Sequence, residues 1–425
     1  MNDHLKAQDH EPYRDLRSLG ARGDGVSEDG AILQNYLDSG GRYVYLPAGC
    51  YRVDRTLRLP SGTHIQAHPC ARVFLSGRIK PMAGDFLLTN QAAGQGGSGW
   101  DRDISIRGGI WDGGFGQGYN DKTGDILDMT QASGACMNFV RVSGLTLSHM
   151  AIANSVTYYL RLGEVTDFSI TDLSLVSDRV AYNQDGIHFG GGCQRGVVDG
   201  LRALSRGQTN DDLLAFNADD STVRVENGGL VCAPIQDIHV RNVYAEDCYT
   251  AIRLLSVTSA IRHVTVEHIT AGVRVYALNM DGARYCRTPL FREADRPGGV
   301  GELDGVVIRD FSFWATRPDG HTPLIHAETL PGAGGLTVAL RRLTAKETAN
   351  DRPLLQAGKI PGSRLILCRP GRPEESVRLA TSADGYTTQD SDICEVRLER
   401  EAHREKETVT EPEPETETGS GFTTP

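Results

Sequence analysis

Seven stretches of this chain follow one plan, and that recurrence limits its possible folds more than any other feature. "RDISIRGGIWDG", "NFVRVSGLTLSHMAIANS", "TDFSITDLSLVSD", "QRGVVDGLRALS", "IQDIHVRNVYAEDC", "IRHVTVEHITAG" and "LDGVVIRDFSFWAT" each pair a short alternating strand with a polar or glycine break and a second alternating strand. Taking Phe168, Val197, Ile238 and Val264 as equivalent gives steps of 29, 41 and 26 residues, within the roughly 20–45 residues of a solenoid unit. The long step holds "NADDSTVRVENGGLVCAPIQ", which reads as one coil carrying an inserted loop. No sustained helical period interrupts the series, which disfavours alternating strands and helices. Hairpin sandwiches need tight turn pairs at shorter intervals. The expected fold is all-β: a right-handed parallel β-helix whose inward side chains stack into one core. A repeat architecture also explains how 425 residues can form a single body, since each coil needs only its neighbours.

The beginning of the chain reads differently. In "EDGAILQNYLDSGG", Ala31, Ile32, Leu33, Tyr36 and Leu37 fall on helical spacing, with Ser27 and Glu28 ahead and glycines behind. The spacing predicts a short helix over 29–38, placed where it can cover the open end of the solenoid. The expected division is an extension over 1–12, one β-helix domain over 13–400 and an acidic tail over 401–425. "EKETVTEPEPETETGSGFTTP" has almost nothing to bury and is expected to be disordered.

A net charge of −11 argues against a nucleic-acid partner, because phosphate binding needs a concentrated basic surface. No apolar run reaches the ~20 residues that span a bilayer, and the first residues lack the apolar core of a signal peptide. The expectation is no membrane partner and a cytoplasmic protein, or a secreted one if a leader has been removed. The nine cysteines form no C-x-x-C pair, which gives no support to a zinc or redox motif. They read as reduced, mostly buried fillers between coils, Cys193 included.

"NQDGIHF" and "NDDLLAF" place Asp185, Asp211 and Asp212 at similar points of successive units. Positions recurring once per coil stack ~4.8 Å apart, so the three carboxylates are expected on one face, close enough to raise the pKa of one of them. Glycoside hydrolysis asks for such a set: an acid to protonate the leaving oxygen and a carboxylate to activate water. An aspartate in a turn also serves as ordinary turn chemistry by bonding its own backbone.

"LGARGDGVSEDGAILQNYLDSGGRYVYLPAGCYRVDRTLRLPSGTHI", with Gly23-Asp24-Gly25, Leu46-Pro47-Ala48-Gly49 and Tyr51, resembles the opening of pectate-lyase-superfamily β-helix proteins. The two aspartate motifs resemble those of the polygalacturonase-type glycoside hydrolases, and the resemblance spans roughly 13–320. It implies Asp211 as general acid and Asp185 with Asp212 as the pair that holds water, with the inverting separation of ~6.5–9.5 Å, and no obligatory cofactor. Asn183 would hold the turn or touch sugar. The Gly-His-Gly of that family is replaced by "CYTAIRLLS", which supplies Tyr249 and Arg253, and the Arg-Ile-Lys that contacts a substrate carboxylate is missing there. An oligosaccharide or polysaccharide is the expected partner, and the loss of the lysine favours a neutral sugar, or a differently placed acidic one, over polygalacturonate.

Arg253 needs an anion, for which Asp212 or a substrate oxygen could serve. His188 reads as a subsite residue or a hydrogen-bonded rim histidine. Trp111, Tyr158, Tyr159 and Tyr249 read as sugar platforms or as stacked core aromatics. Asp219 and Asp220 read as solvated loop residues. Two alternatives stay open: a polysaccharide lyase binding calcium through Asp211, Asp212, Asp219 and Asp220 with Arg253 assisting proton abstraction, and a non-catalytic carbohydrate-binding β-helix.

Overall fold

The computed structural model describes residues 13–76, 86–94, 99–115, 135–181, 183–219, 230–280, 302–317, 319–327, 335–346, 351–358, 360, 362–379 and 385–401. The expected extension over 1–12, the acidic tail from 402 onward, Asp220 and Cys286 lie outside them.

The corners explain why the sequence folds as it does. Strand Leu160–Val176 enters the left-handed region at Glu164 (φ 51°) and then at two corners five residues apart, Asp167 (φ 57°) and Asp172 (φ 50°). The same two corners recur five residues apart on neighbouring coils, at Gly144 and His149, Arg195 and Gly200, Asp237 and Asn242, His263 and His268, and Gly305 and Asp310. Asp, Asn and Gly visit this region at least cost, which accounts for the polar or glycine break inside each repeat. Between corners, four residues such as Phe168–Thr171 form a facet whose first and third members, Phe168 and Ile170, point into the core.

Successive coils pair in parallel. Leu160–Val176 lies against Met137–Ala153 on one side and against Ile187–Gly190 and Gln194–Ala203 on the other. A single continuous apolar cluster runs from Leu16 to Leu398 along the solenoid, with Phe189 and Phe216 stacked at 4.7 Å within it. The register corrects one expected equivalence. Phe168 pairs with Gly196, which pairs with Ile238 and then Val264, while Val197 is 41% exposed. A Cβ on Gly196 would lie 1.9 Å from the Phe168 ring, so that ring fills the space a side chain would have taken.

Helix Gly30–Asp38 forms where the spacing predicts it, burying Leu33 and Leu37. Its first turn is capped by Glu28, whose carboxylate accepts from Ala31 N, while Asp29 turns away to accept from Arg22 N and Gly23 N. The far end departs from the expectation of one parallel β-helix up to residue 400. Ser363–Cys368 runs antiparallel to Glu375–Arg378 and to Glu395–Arg400, and Glu395–Arg400 also runs antiparallel to Leu336–Ala345. These strands cover edges that the last parallel coils would leave open.

Of the described cysteines, Cys136, Cys193 and Cys248 are buried, Cys50, Cys70 and Cys232 are exposed, and Cys368 and Cys394 lie between. The expectation of mostly buried fillers therefore holds for the interior coils only. Burial pushes the Cys193 thiol up to about 12, which leaves it inert as a nucleophile at neutral pH.

The corners also carry ion pairs between coils. Arg195 Nε and Nη2 donate to Asp167 at 2.7 and 2.9 Å, and these bonds lower the Asp167 carboxyl to about 2. A depressed carboxylate contributes stability above its unfolded value of ~3.9 and loses it as pH falls through the folded value. Both side chains are about half exposed, so the contribution is small. The stability difference between wild type and Arg195→Gln, measured by urea unfolding, is expected to be full at pH 5 and to shrink as pH falls towards 2. A difference undiminished at pH 2 would assign the effect of Arg195 to packing.

Candidate active site

The site is built on one facet of the solenoid, where inward and outward residues alternate. Leu160 and Leu162, Ile187 and Phe189, Leu214 and Phe216, and Ile252 and Leu254 face the core. The residues between them stack on the other face as a ladder of Arg161, His188, Ala215, Arg253, Asn279 and His326. The turns that lead into these strands carry the aspartates. Tyr159 N donates to Asp185 O, and Gly186 N donates to Asp212 O, which fixes the turns one ladder spacing apart.

Asp185, Asp211 and Asp212 converge, each offering an oxygen within 4.8 Å of the others. Asp185 and Asp212 are buried and Asp211 is partly exposed. The spacing is shorter than the expected ~6.5–9.5 Å, because two of the side chains leave adjacent rungs and the third is a chain neighbour. Carboxylates this close repel one another, and two basic side chains sit against them. His188 Nδ1 lies 2.6 Å from Asp185 Oδ2, and Arg253 Nη1 lies 3.5 Å from Asp212 Oδ2. Asp212 is thus the anion that Arg253 needs. Tyr158 packs edge-on against the His188 ring, with centroids 4.7 Å apart.

Among the other expected residues, Asn183 takes a left-handed turn conformation (φ 59°) just before the trio, and Tyr249 is exposed beside Thr209, whose carbonyl accepts from its N–H. Trp111 and Tyr159 are fully buried; Trp111 Nε1 donates to Gly108 O and Tyr159 Oη donates to Gln208 Oε1. Both are core residues and not sugar platforms.

Asp219 was expected in solvent and is fully buried. Its carboxylate accepts from the backbone N–H groups of Val257, Thr258 and Ser259, each at 2.7 Å, and from Thr258 Oγ1 at 2.6 Å. It is thereby withdrawn from the calcium set of the lyase alternative. Among the described residues, the groups placed to share a cation are those of the trio itself.

Two buried glutamines brace the turns, and their role was not read from the sequence. Gln184 accepts from Ala181 N and donates to Ser155 O. Gln208, one coil on, donates to Arg179 O. Also missed was Arg274-Val275-Tyr276. Tyr276 pairs with Thr250, which pairs with Asp212, so the triplet lies two coils beyond the pair. It has the arginine of an Arg-x-Lys motif with tyrosine in the lysine's place.

Residues 13–274 match the family model Rhamnogalacturonase A/epimerase, pectate lyase-like. The chain belongs to this family. Solved structures similar to this pectate-lyase-like chain include a family 28 exopolygalacturonase of Yersinia enterocolitica, with a TM-score of 0.51 at 15% identity over 81% of this chain and 74% of that one. They also include PfbA, a surface adhesin of Streptococcus pneumoniae, with a TM-score of 0.50 at 10% identity over 86% of this chain and 100% of that one. At such identities these likenesses show the fold. A curated relative, the non-secreted LysM effector LysM15 of Penicillium expansum, is 33% identical over 78 residues, or 16% of this chain; the match spans 6% of that protein's length.

Proposed function

We propose that this pectate-lyase-like protein is a glycoside hydrolase acting on an oligosaccharide or polysaccharide, with inversion at the cleaved carbon. The observation that carries this reading is the convergence of three carboxylates from adjacent coils within 4.8 Å. In the proposed reaction, Asp211, the partly exposed member, protonates the leaving glycosidic oxygen, and Asp185 and Asp212 hold and deprotonate the attacking water. A water that donates to two oxygens at ~2.8 Å each with an angle near ~105° spans about 4.4 Å between them, so Asp185 and Asp212 can share one water; inversion is proposed from the direct attack of that water, the acid-to-base separation being shorter than the ~6.5–9.5 Å inverting range. Arg253 pairs with Asp212, and the His188 ring is hydrogen-bonded to Asp185. Membership of the family supports a carbohydrate as partner.

Incubation with a panel of defined oligosaccharides tests the reading. The expected result is a new reducing end whose first-formed anomer, followed by proton NMR, is opposite to that of the bond cleaved. An unsaturated, ultraviolet-absorbing product would replace hydrolysis with elimination. Retention of configuration would make one of the aspartates a nucleophile.

A further inference from the structure

We propose that Arg274 is a positioning residue for the Asp211–Asp212 turn, an inference that rests on the hydrolase reading above. Arg274 lies on strand Ile261–Met280, two coils past Asp212, and is 5% exposed. Its guanidinium faces the turn. Nη2 donates to Asn210 Oδ1 at 2.8 Å, to Thr209 O at 3.0 Å and to Gly207 O at 3.4 Å. Nη1 donates to Asp247 O and pairs with Asp247 Oδ2 at 3.2 Å.

Asp247 grips the same segment from the other side, accepting from Gly207 N at 2.9 Å and from Thr316 Oγ1. Thr209 passes the constraint forward, because its Oγ1 donates to Asp211 O at 2.8 Å. Behind Arg274 stands a second buried arginine. Arg352 is 1% exposed, donates to Arg274 O and Val275 O, and is itself tied to Thr322 O.

The chain of contacts therefore runs from Arg352 through Arg274 to the residues immediately ahead of the acid. A planar guanidinium with five donors in fixed directions can hold several acceptors at once, which an ammonium group cannot. The acceptors of Nη2 belong to the short turn that decides where Asp211 and Asp212 point. A misplacement of about 1 Å at a reacting group costs on the order of 10²-fold in rate, so a loosened turn should be read in kcat.

The test compares wild type, Arg274→Lys and Arg352→Met in the full chain by two measurements. Hydrogen–deuterium exchange over residues 205–213 reads the turn whether or not a substrate is known. Steady-state kinetics on a cleaved oligosaccharide read its consequence. For Arg274→Lys the expected result is faster exchange in that segment and a kcat lower by about 10–100-fold, with KM changed by less than about threefold. Arg352→Met should shift both in the same direction by less. Millimolar guanidinium should restore part of the turnover of Arg274→Ala.

Unchanged exchange in Arg274→Lys overturns the proposal. So does faster exchange with wild-type kcat, or a rate loss that only tracks the folded fraction and is not rescued by guanidinium. If Arg274→Lys fails to fold, Asn210→Ala removes one acceptor of the same clamp and is held to the same outcomes at smaller size. A wild-type protein that cleaves no glycan would sink the hydrolase reading separately, and the exchange measurement would still decide the clamp.

Discussion

Asp211→Asn is expected to lower turnover of a cleaved glycan by about 10²–10⁴-fold, the range ascribed to a positioned general acid. The amide keeps the size of the carboxylic acid but has no acidic proton to give the leaving oxygen. Because Asp211 is the partly exposed member of the trio, the substitution places no new group in the core. Melting temperature should stay close to wild type, and sugar affinity, measured by calorimetry with an uncleaved oligosaccharide, should change little. Asp185→Asn and Asp212→Asn are expected to lower kcat as well, but each also removes the charge opposite His188 or Arg253. Turnover of the Asp211→Asn protein at the wild-type rate would remove the acid role. Loss of binding together with rate would assign Asp211 to sugar binding and not to proton transfer.

The largest effect on stability is expected at Asp219. Asp219→Ala leaves three backbone N–H groups and one hydroxyl of residues 257–259 without the acceptor they share, in a place where the carboxylate is fully buried. A buried donor stripped of its partner costs about 1–3 kcal/mol. Allowing for partial relaxation of the turn, a loss of about 3–5 kcal/mol is expected from urea unfolding. Asp219→Asn should fall between, since one carboxamide oxygen can still accept. A change below about 0.5 kcal/mol in Asp219→Ala, the range of ordinary surface substitutions, would return Asp219 to the solvated loop.

The contrast between these two aspartates shows what the sequence makes legible. Asp211 and Asp212 could be found because their neighbours repeat: a turn and a strand of the same pattern stand one coil earlier, around Asp185. Asp219 has no such context. Its partners lie 38–40 residues further on, and nothing local distinguishes a carboxylate that caps a distant turn from one in water. The helix over 29–38 was legible for the same reason as the trio, since its apolar spacing is self-contained. The antiparallel closure was not, because "SRLILC" and "EVRLER" alternate in the same way whether their neighbours run with them or against them. The one-residue slip at Val197 arose because Gly196 has no side chain to show which way that position faces, and its direction is set by the bulk of Phe168 on another coil.

The alternation on the site-bearing facet has a consequence for how such a protein changes over time. Ile187 and Phe189 hold the coils together, while His188 between them faces away from the core, and the same division holds around Ala215 and Arg253. Stability and chemistry are thus written on interleaved letters of the same short word. An exchange at an outward letter leaves the core unaltered, and the backbone ladder keeps the pitch to the letters above and below. A new specificity can therefore be tried one rung at a time without exchanging the inward letters, whereas inserting a single residue within a rung would turn inward letters outward and lose both messages at once.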